Sequence, residues 1–232
     1  MKVRINADDF GLTKGITDGI ILSHQKGMVT STTMMMNGKA LAYAVEQAKN
    51  NPSLKVGIHL VLTWGKPLLK NVDDLVDENG LFRFTSTFDP SDSPNVDQVE
   101  REWTAQIEAF LETGLPLSHI DSHHHVHGWQ ILQAVVIKLA RKYGVPVRYV
   151  ETLKDYPELA MTDTLWDSFY GDGVNGHLFA ELSSLEVDSV EVMTHPAVVD
   201  DELKHMTSYA TPREKELSLL CSMEVPGWVR LF

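Results

Sequence analysis

The chain has 232 residues, of which 43% are hydrophobic and 22% charged, and its formal net charge is −12. The length and composition predict one soluble globular domain, and the acidic balance disfavours nucleic acid or an anionic membrane as partner, since both bind clustered Lys and Arg. A single cysteine, Cys221, excludes an internal disulfide and a cysteine-ligated metal site.

The N-terminal segment reaches two carboxylates within nine residues and lacks the apolar run of a signal peptide. No apolar run elsewhere is long enough to cross a bilayer. We therefore expect a cytoplasmic protein.

Short β-branched runs alternate with helical patterns, which predicts parallel strands joined by helical crossovers. Residues 64–98 are rich in Gly, Pro, Asp and Ser, and predict a long inserted loop over the barrel mouth with a small hairpin near residues 78–80. Residues 151–172 show no clear pattern. We expect one α/β domain over residues 1–232, a distorted (β/α) barrel. Its predicted strands are 3–7, 29–35, 56–62, 117–122, 146–150 and 190–194, and its predicted helices are 13–25, 40–50, 96–113, 130–143 and 211–222.

Ionisable residues follow four of these strands. Asp8 and Asp9 follow the first strand, and His59 lies at the end of the third. Residues 123–127 follow the fourth and His195 follows the last. Because the carboxyl ends of the strands in a parallel barrel form the active face, we expect these side chains to meet at one mouth.

The adjacent pair Asp8 and Asp9 should point to opposite sides of an extended backbone. One carboxylate can then bind a metal while the other stays free as a base. A turn or helix-capping pair is the structural alternative.

His59 lies in an apolar run, where a buried imidazole is costly without a partner. Taken by itself, His59 would be explained as a core histidine bonded to a backbone carbonyl. The other candidate site residues are what favour a metal ligand at this position.

The segment from His119 to His127 contains five histidines and one aspartate. Strand alternation places His119, Asp121 and His123 on one face, so His123 would reach the mouth while His119 lies lower in the barrel. One ion cannot bind all five imidazoles. The others are expected to orient ligands, shape the substrate pocket or act as acids, and mutual repulsion would keep them neutral.

One Asp and two His ligands would leave open positions for water and substrate. The ligand set favours Zn²⁺, although Mg²⁺, Mn²⁺ or Co²⁺ could occupy it. The lack of cysteine ligands favours a catalytic site over a structural one.

Four motifs occur in order along nearly the whole chain, and residues 29–33 and Gly38 add to them. Together they resemble the YdjC family of carbohydrate deacetylases, which includes chitooligosaccharide deacetylases. The motifs are Asn6-Ala-Asp-Asp-Phe-Gly11, Gly57-Ile-His-Leu60, His119-Ile-Asp-Ser-His-His-His-Val-His127 and Thr194-His-Pro196.

The resemblance implies a barrel of the polysaccharide-deacetylase type with one divalent metal, usually Mg²⁺, in a homodimer. Asp9, His59 and His123 would be the ligands, and Asp8 the general base. The substrate would be an N-acetylglucosamine disaccharide such as chitobiose, or its 6-phosphate, as in chitin degradation.

The residues suggest a mechanism in which a bound metal activates water and polarises the acetyl carbonyl. Asp8 would take the proton of the attacking water, and His195 would protonate the leaving amine. Arg148 is a candidate to hold Asp8 ionised, with a solvated strand-end arginine as the equal alternative.

Four further residues are candidates for substrate contact. Trp64 and Trp129 follow the third and fourth strands and could stack on a sugar ring, with core or lid packing as the alternative. His125 and His127 could shape the substrate pocket.

Two rival functions remain. A metal phosphoesterase on a histidine-rich barrel would usually hold two or three metals and carry His-x-His on the first strand, where this chain has Asp-Asp. A non-catalytic sugar- or metal-binding regulator would bind ligand without turnover.

Overall fold

A curled parallel sheet forms the centre of the computed structural model, which describes residues 1–207 and 209–232. The strands are β1 Lys2–Phe10, β2 Ser31–Met34, β3 Lys55–Leu60, β4 Ile120–Ser122, β5 Thr164–Trp166, β6 Ser189–Thr194 and β7 Arg230–Leu231. Their order is β4-β3-β2-β1-β6-β5, with β7 paired to β1. The helices are α1 Lys14–Lys26, α2 Leu41–Asn50, α3 Val96–Glu112, α4 Gln133–Tyr143, α5 Leu178–Leu182, α6 Asp201–Met206 and α7 Thr211–Ser222. The predicted fold class is thereby confirmed as a half-barrel of parallel strands with helical crossovers.

The strand predicted at residues 146–150 is reduced to isolated bridges. Val147 pairs in parallel with Ile120 on one side and with Ala160 on the other. Pro146 has no amide hydrogen to donate to a ladder, so the pairing cannot extend from Val147 towards the N-terminus. Through these two bridges, Val147 connects β4 with Ala160 in the segment that precedes β5.

The inserted loop contains the predicted hairpin near residues 78–80. Val76 and Phe82 form an antiparallel bridge, and Gly80 turns the chain with φ of +71°. The loop is fastened to α3 by the buried Glu102, whose carboxylate accepts the backbone N–H groups of Leu68 at 2.8 Å and Leu69 at 2.9 Å. Burial of an acidic group is tolerated here because both oxygens are hydrogen-bonded.

Strand β3 leaves room for an imidazole at Gly57. A Cβ at this position would lie 2.7 Å from Nδ1 of His119 and 2.6 Å from its carbonyl oxygen. We expect Gly57→Ala to lower the free energy of unfolding by about 1–3 kcal/mol, the usual cost of overpacking a core. Denaturant titration measures this change. Gly176→Ala is the control, since a Cβ there meets no described atom within 4 Å. Equal stability of the two variants would contradict the steric argument.

Among the described residues, no helix combines the length and apolar character needed to span a membrane.

Candidate active site

The carboxyl ends of β1, β3, β4 and β6 surround one cavity of about 450 Å³. Its position agrees with the predicted mouth of the barrel. Seven of the predicted site residues line this cavity: Asp8, Asp9, His59, Trp64, His123, His125 and His195.

Both carboxylates of the Asp8–Asp9 pair line the cavity because β1 is irregular there. The pairing of β1 with β2 shifts between Ala7 and Phe10, and Asp9 has φ of 71°. A non-glycine residue in this left-handed region is costly and persists where surrounding contacts hold it. The expectation that the two side chains point to opposite sides of an extended strand is therefore wrong.

Asp9 lies between two imidazoles and a guanidinium. Its Oδ1 atom is 3.5 Å from Nε2 of His59 and 3.1 Å from Nδ1 of His123. Its Oδ2 atom accepts a hydrogen bond of 2.6 Å from Nη2 of Arg213. The side chains of Asp9, His59 and His123 each offer one ligand atom, and these atoms lie within 4.8 Å of one another.

The contacts of His59 fit a cation at this position. Nδ1 of His59 lies 2.7 Å from Oδ1 of Asp121, which favours the hydrogen on Nδ1 and leaves a lone pair on Nε2. Asp9 Oδ1, which faces that lone pair, has no hydrogen-bond partner among the described residues. Two buried acceptors that face each other need a proton or a metal between them. Without a metal, burial disfavours a proton on His59, yet the charge of Asp121, the hydrogen bond to Asp121 and the nearby Asp9 carboxylate raise the pKa of His59 to about 10.

The charges of the surrounding core also favour a bound cation. Burial raises the pKa of Glu191 and of Glu216 to about 7, whereas the pKa values of three buried aspartates at the mouth are lowered. These acids outnumber the two buried guanidiniums beside them, and a cation would reduce the repulsion between the carboxylates. The aspartates and guanidiniums are those of Asp8, Asp9, Asp121, Arg148 and Arg213.

Arg148 clamps Asp8 through two hydrogen bonds. Nη1 donates to Oδ2 at 2.7 Å and Nη2 donates to Oδ1 at 2.6 Å. Nε and Nη2 also donate to Oε1 of Glu191, at 2.9 and 2.7 Å, so the fully buried guanidinium has a fixed orientation. Burial is the largest single influence and would raise the pKa of Asp8, but the charge and hydrogen bonds of Arg148, together with the charge of His59, lower that pKa below its ordinary value. Asp8 is therefore ionised at neutral pH.

His195 follows β6 and borders the cavity. Its backbone N–H donates to Oε2 of Glu216, while Nδ1 of the ring has no partner among the described residues. Burial and then the charge of Arg213 lower the pKa of His195 to about 3, so its ring is neutral at pH 7.

Two predicted substrate contacts lie elsewhere. His127 is fully buried, with Nδ1 2.6 Å from the hydroxyl of Ser122. Trp129 packs against Phe84 and Phe88 and is 9% exposed. The turn that follows β4 explains this placement, because His124 and His125 have φ of 57° and 54° and direct the next residues back into the core. Neither His127 nor Trp129 lines the cavity, and we leave both out of the proposed substrate site.

His119 lies low in the barrel, as its position in the strand predicted. The side chain is fully buried and its Nε2 atom is 3.1 Å from Oδ1 of Asn6.

Several site residues were not singled out by the sequence. Glu191 could have been found, because an acid between Val190 and Val192 in a buried strand must point at a partner. Thr33 could have been found by the same argument, because it is a polar residue in the buried strand β2. Its hydroxyl donates to Oδ2 of Asp121 at 2.9 Å. Arg213 had no local signal, since it meets Asp9 across 204 positions of sequence.

The fold and the site together define the structural class of this protein. It is a half-barrel of parallel strands with aspartate and histidine side chains gathered at its carboxyl face. Residues 2–230 match the family model described as YdjC-like protein. The chain belongs to the YdjC-like family.

Relatives support the same assignment over nearly their whole lengths. A carbohydrate deacetylase of Oceanobacillus iheyensis is 59% identical over 99% of this chain and 100% of its own. Carbohydrate deacetylase 1 of Listeria innocua is 43% identical over 99% of this chain and 95% of its own. A crystal structure from Enterococcus faecalis V583, named a cellobiose-phosphate cleavage protein, superimposes with a TM-score of 0.88 at 38% identity. That match covers 95% of this chain and 90% of the Enterococcus chain.

Proposed function

We propose that this protein is a metal-dependent carbohydrate deacetylase that hydrolyses the N-acetyl amide of a small amino sugar and releases acetate. The observation that carries the proposal is the Asp9 carboxylate, which faces two imidazoles beside an arginine-clamped Asp8. The names of the relatives support the carbohydrate class. The substrate proposed is an N-acetylglucosamine disaccharide such as chitobiose, or its 6-phosphate.

Asp9, His59 and His123 would hold one divalent ion. When bound, the ion supplies a Lewis acid for the acetyl carbonyl and an activated water. Mg²⁺ is the ion implied by the resemblance to the family, and Zn²⁺ is the ion that the nitrogen ligands favour.

Asp8 is the proposed general base. It lines the cavity and is ionised, because Arg148 binds it through both terminal nitrogens. The same clamp fixes the direction of the carboxylate, which reduces the reorganisation needed before it accepts a proton from the attacking water.

His195 is the proposed general acid. Its ring is neutral at rest, so it must first take up a proton, either from solvent in the cavity or the one that Asp8 removes from the attacking water, before it can give one to the leaving amine. The charges of Asp8 and Asp9 favour the protonated ring, and they are the groups that oppose the effect of burial.

His195→Ala should separate amide from ester cleavage. An amine leaves poorly unless protonated, whereas the phenolate of an activated acetate ester leaves unaided. We expect a loss of roughly 10²–10³-fold in kcat/KM for N-acetyl sugars and a loss below about fivefold for 4-nitrophenyl acetate, followed by steady-state kinetics. The backbone N–H that reaches Glu216 is retained in this variant. Equal losses on both substrates would assign His195 a structural role instead.

The proposed function is tested by acetate release from N-acetylated mono- and disaccharides, with and without a 6-phosphate. Each sugar is assayed with purified protein, after chelation, and after return of Mg²⁺, Mn²⁺, Co²⁺ or Zn²⁺. Acetate release that is lost on chelation and restored by one metal is expected, with about one ion per chain by elemental analysis. Release of phosphate instead would support the phosphoesterase, and sugar binding without turnover would support the regulator.

Three broader expectations stay predictions. Residues 1–232 are proposed to act as one domain in the cytoplasm, and two chains are proposed to form a homodimer. Light scattering coupled to size-exclusion chromatography measures the mass of the assembly directly. A mass equal to that of one chain at micromolar concentration would contradict the homodimer.

A further inference from the structure

Two tyrosines form a rigid pair at the rim of the cavity. The rings of Tyr170 and Tyr209 are stacked, with centroids 3.9 Å apart and planes inclined by 8°. Both residues line the cavity, and Tyr170 is 45% exposed. We call this pair the tyrosine platform. One face of Tyr170 rests on Tyr209. The ring centroid of His195 lies 5.4 Å from that of Tyr170 and 6.0 Å from that of Tyr209, so His195 is beside the stack and does not cover the other face of Tyr170.

Hydrogen bonds hold the tyrosine platform in place. The hydroxyl of Tyr209 donates to Oε1 of Glu216 at 2.6 Å and accepts the backbone N–H of Gly171 at 2.9 Å. Gly171 directly follows Tyr170 and has φ of +58°, a conformation that glycine adopts at little cost. The two tyrosines are therefore joined both by their rings and by the turn after Tyr170.

The same acid fixes the platform relative to His195. Oε1 of Glu216 accepts the Tyr209 hydroxyl, and Oε2 accepts the backbone N–H of His195. The ring of His195 meets the ring of Tyr170 edge-on, with centroids 5.4 Å apart and planes inclined by 74°. A ligand whose amide reaches His195 consequently has Tyr170 directly beside it.

We propose that the open face of Tyr170 binds the sugar ring next to the one that is deacetylated, and that Tyr170 thereby sets the preference for a disaccharide over a monosaccharide. The inference rests on the proposed deacetylase function. A pyranose presents apolar C–H groups on its faces and hydroxyls at its edge, which suits a flat ring that is open on one side. Asp167 also lines the cavity, and its exposed carboxylate can accept hydrogen bonds from those hydroxyls.

The alternative, that Tyr170 only packs against Tyr209 to support the rim, predicts a different response to substrate length. A supporting residue would affect every substrate equally through His195. A subsite residue affects only a substrate that is long enough to reach it. Comparison of a monosaccharide with a disaccharide therefore separates the two roles.

The experiment measures kcat/KM for N-acetylglucosamine and N,N′-diacetylchitobiose with the wild-type protein and three variants. Tyr170→Ala should lose about tenfold on the disaccharide and less than about twofold on the monosaccharide, because a stacked ring contributes up to about 1.4 kcal/mol. Tyr170→Phe keeps the ring and should keep both activities. Trp228→Ala removes an aromatic side chain of similar exposure, 42%, that lies outside the cavity lining, and should change neither.

Equal losses on the two sugars in Tyr170→Ala would overturn the subsite. Absence of acetate release by the wild-type protein from both sugars and from their 6-phosphates would contradict the proposed function. In that case, or if the monosaccharide is not cleaved, calorimetry with the disaccharide decides, performed in the Asp8→Asn background where substrate persists. An affinity that Tyr170→Ala leaves unchanged would then overturn the subsite, and an affinity lowered about tenfold would support it.

Discussion

Replacement of Asp8 by Asn should leave the metal bound and lower turnover by roughly 10²–10⁴-fold, the range typical of a general base. The asparagine side chain has nearly the same shape as the aspartate, and its amide oxygen can still accept one hydrogen bond from Arg148. The amide cannot take a proton from water near neutral pH. The proposed ligands Asp9, His59 and His123 are unchanged, so metal content measured by elemental analysis should stay close to the wild-type value.

Metal content and turnover together separate a role of Asp8 as the base from a role in supporting the ion site. Asp172→Asn provides the matched control, since Asp172 is an exposed acid outside the cavity lining. Loss of metal together with turnover in Asp8→Asn would mean that Asp8 supports the ion site instead of acting as the base. A fall in turnover below about threefold, with the metal retained, would transfer the role of base to another group, with His125 as the first candidate to examine.

The architecture could be predicted because its signals are local. Runs such as residues 56–60 and 190–194 are short, apolar and β-branched, and helical patterns separate them, as expected of a parallel sheet covered by helices. Chemistry-bearing residues at the ends of four such runs then had to meet, because parallel strands share one carboxyl face. The placement of Asp9, His59 and His195 at one cavity follows from that rule alone.

The parts that could not be predicted depend on backbone irregularity. Alternation along a regular strand separates Asp8 from Asp9, and the observed bulge with Asp9 at φ of 71° removes that separation. The positive φ angles of His124 and His125 likewise decide which imidazoles face the cavity and send His127 into the core. Such conformations are held by tertiary contacts and leave no periodic trace in the sequence.

Contacts between residues that are far apart in the sequence could not be predicted either. Arg213 lies on α7 and reaches Asp9 from the far end of the chain, and Glu216 on the same helix binds both His195 and Tyr209. In sequence, α7 is an ordinary helical pattern. Its contribution to the site arises only because the helix packs where its first turns face the mouth of the barrel.

His59→Ala should lower metal affinity by at least roughly 100-fold and abolish acetate release in proportion. Nε2 of His59 is one of the three proposed ligand atoms, and its removal leaves Asp9 and His123 alone to hold the ion. Asp121→Asn tests the support behind that ligand, since Asp121 orients the ring through Nδ1 at 2.7 Å. Loss of such a supporting carboxylate usually costs about 10–100-fold in metal affinity. Metal affinity should therefore fall further in His59→Ala than in Asp121→Asn.

Metal affinity is measured by competition with a chelator, and folding is checked by circular dichroism, because His59→Ala also leaves a buried carboxylate of Asp121 without this partner. His59→Asn retains a polar group at the site and serves as a second variant where the alanine protein is unstable. His177→Ala removes an exposed imidazole and should bind metal as the wild-type protein does. Full metal occupancy in a folded His59→Asn or His59→Ala protein would remove His59 from the ligand set, and the ion would then have to be held by Asp9 and His123 with groups on the opposite wall of the cavity.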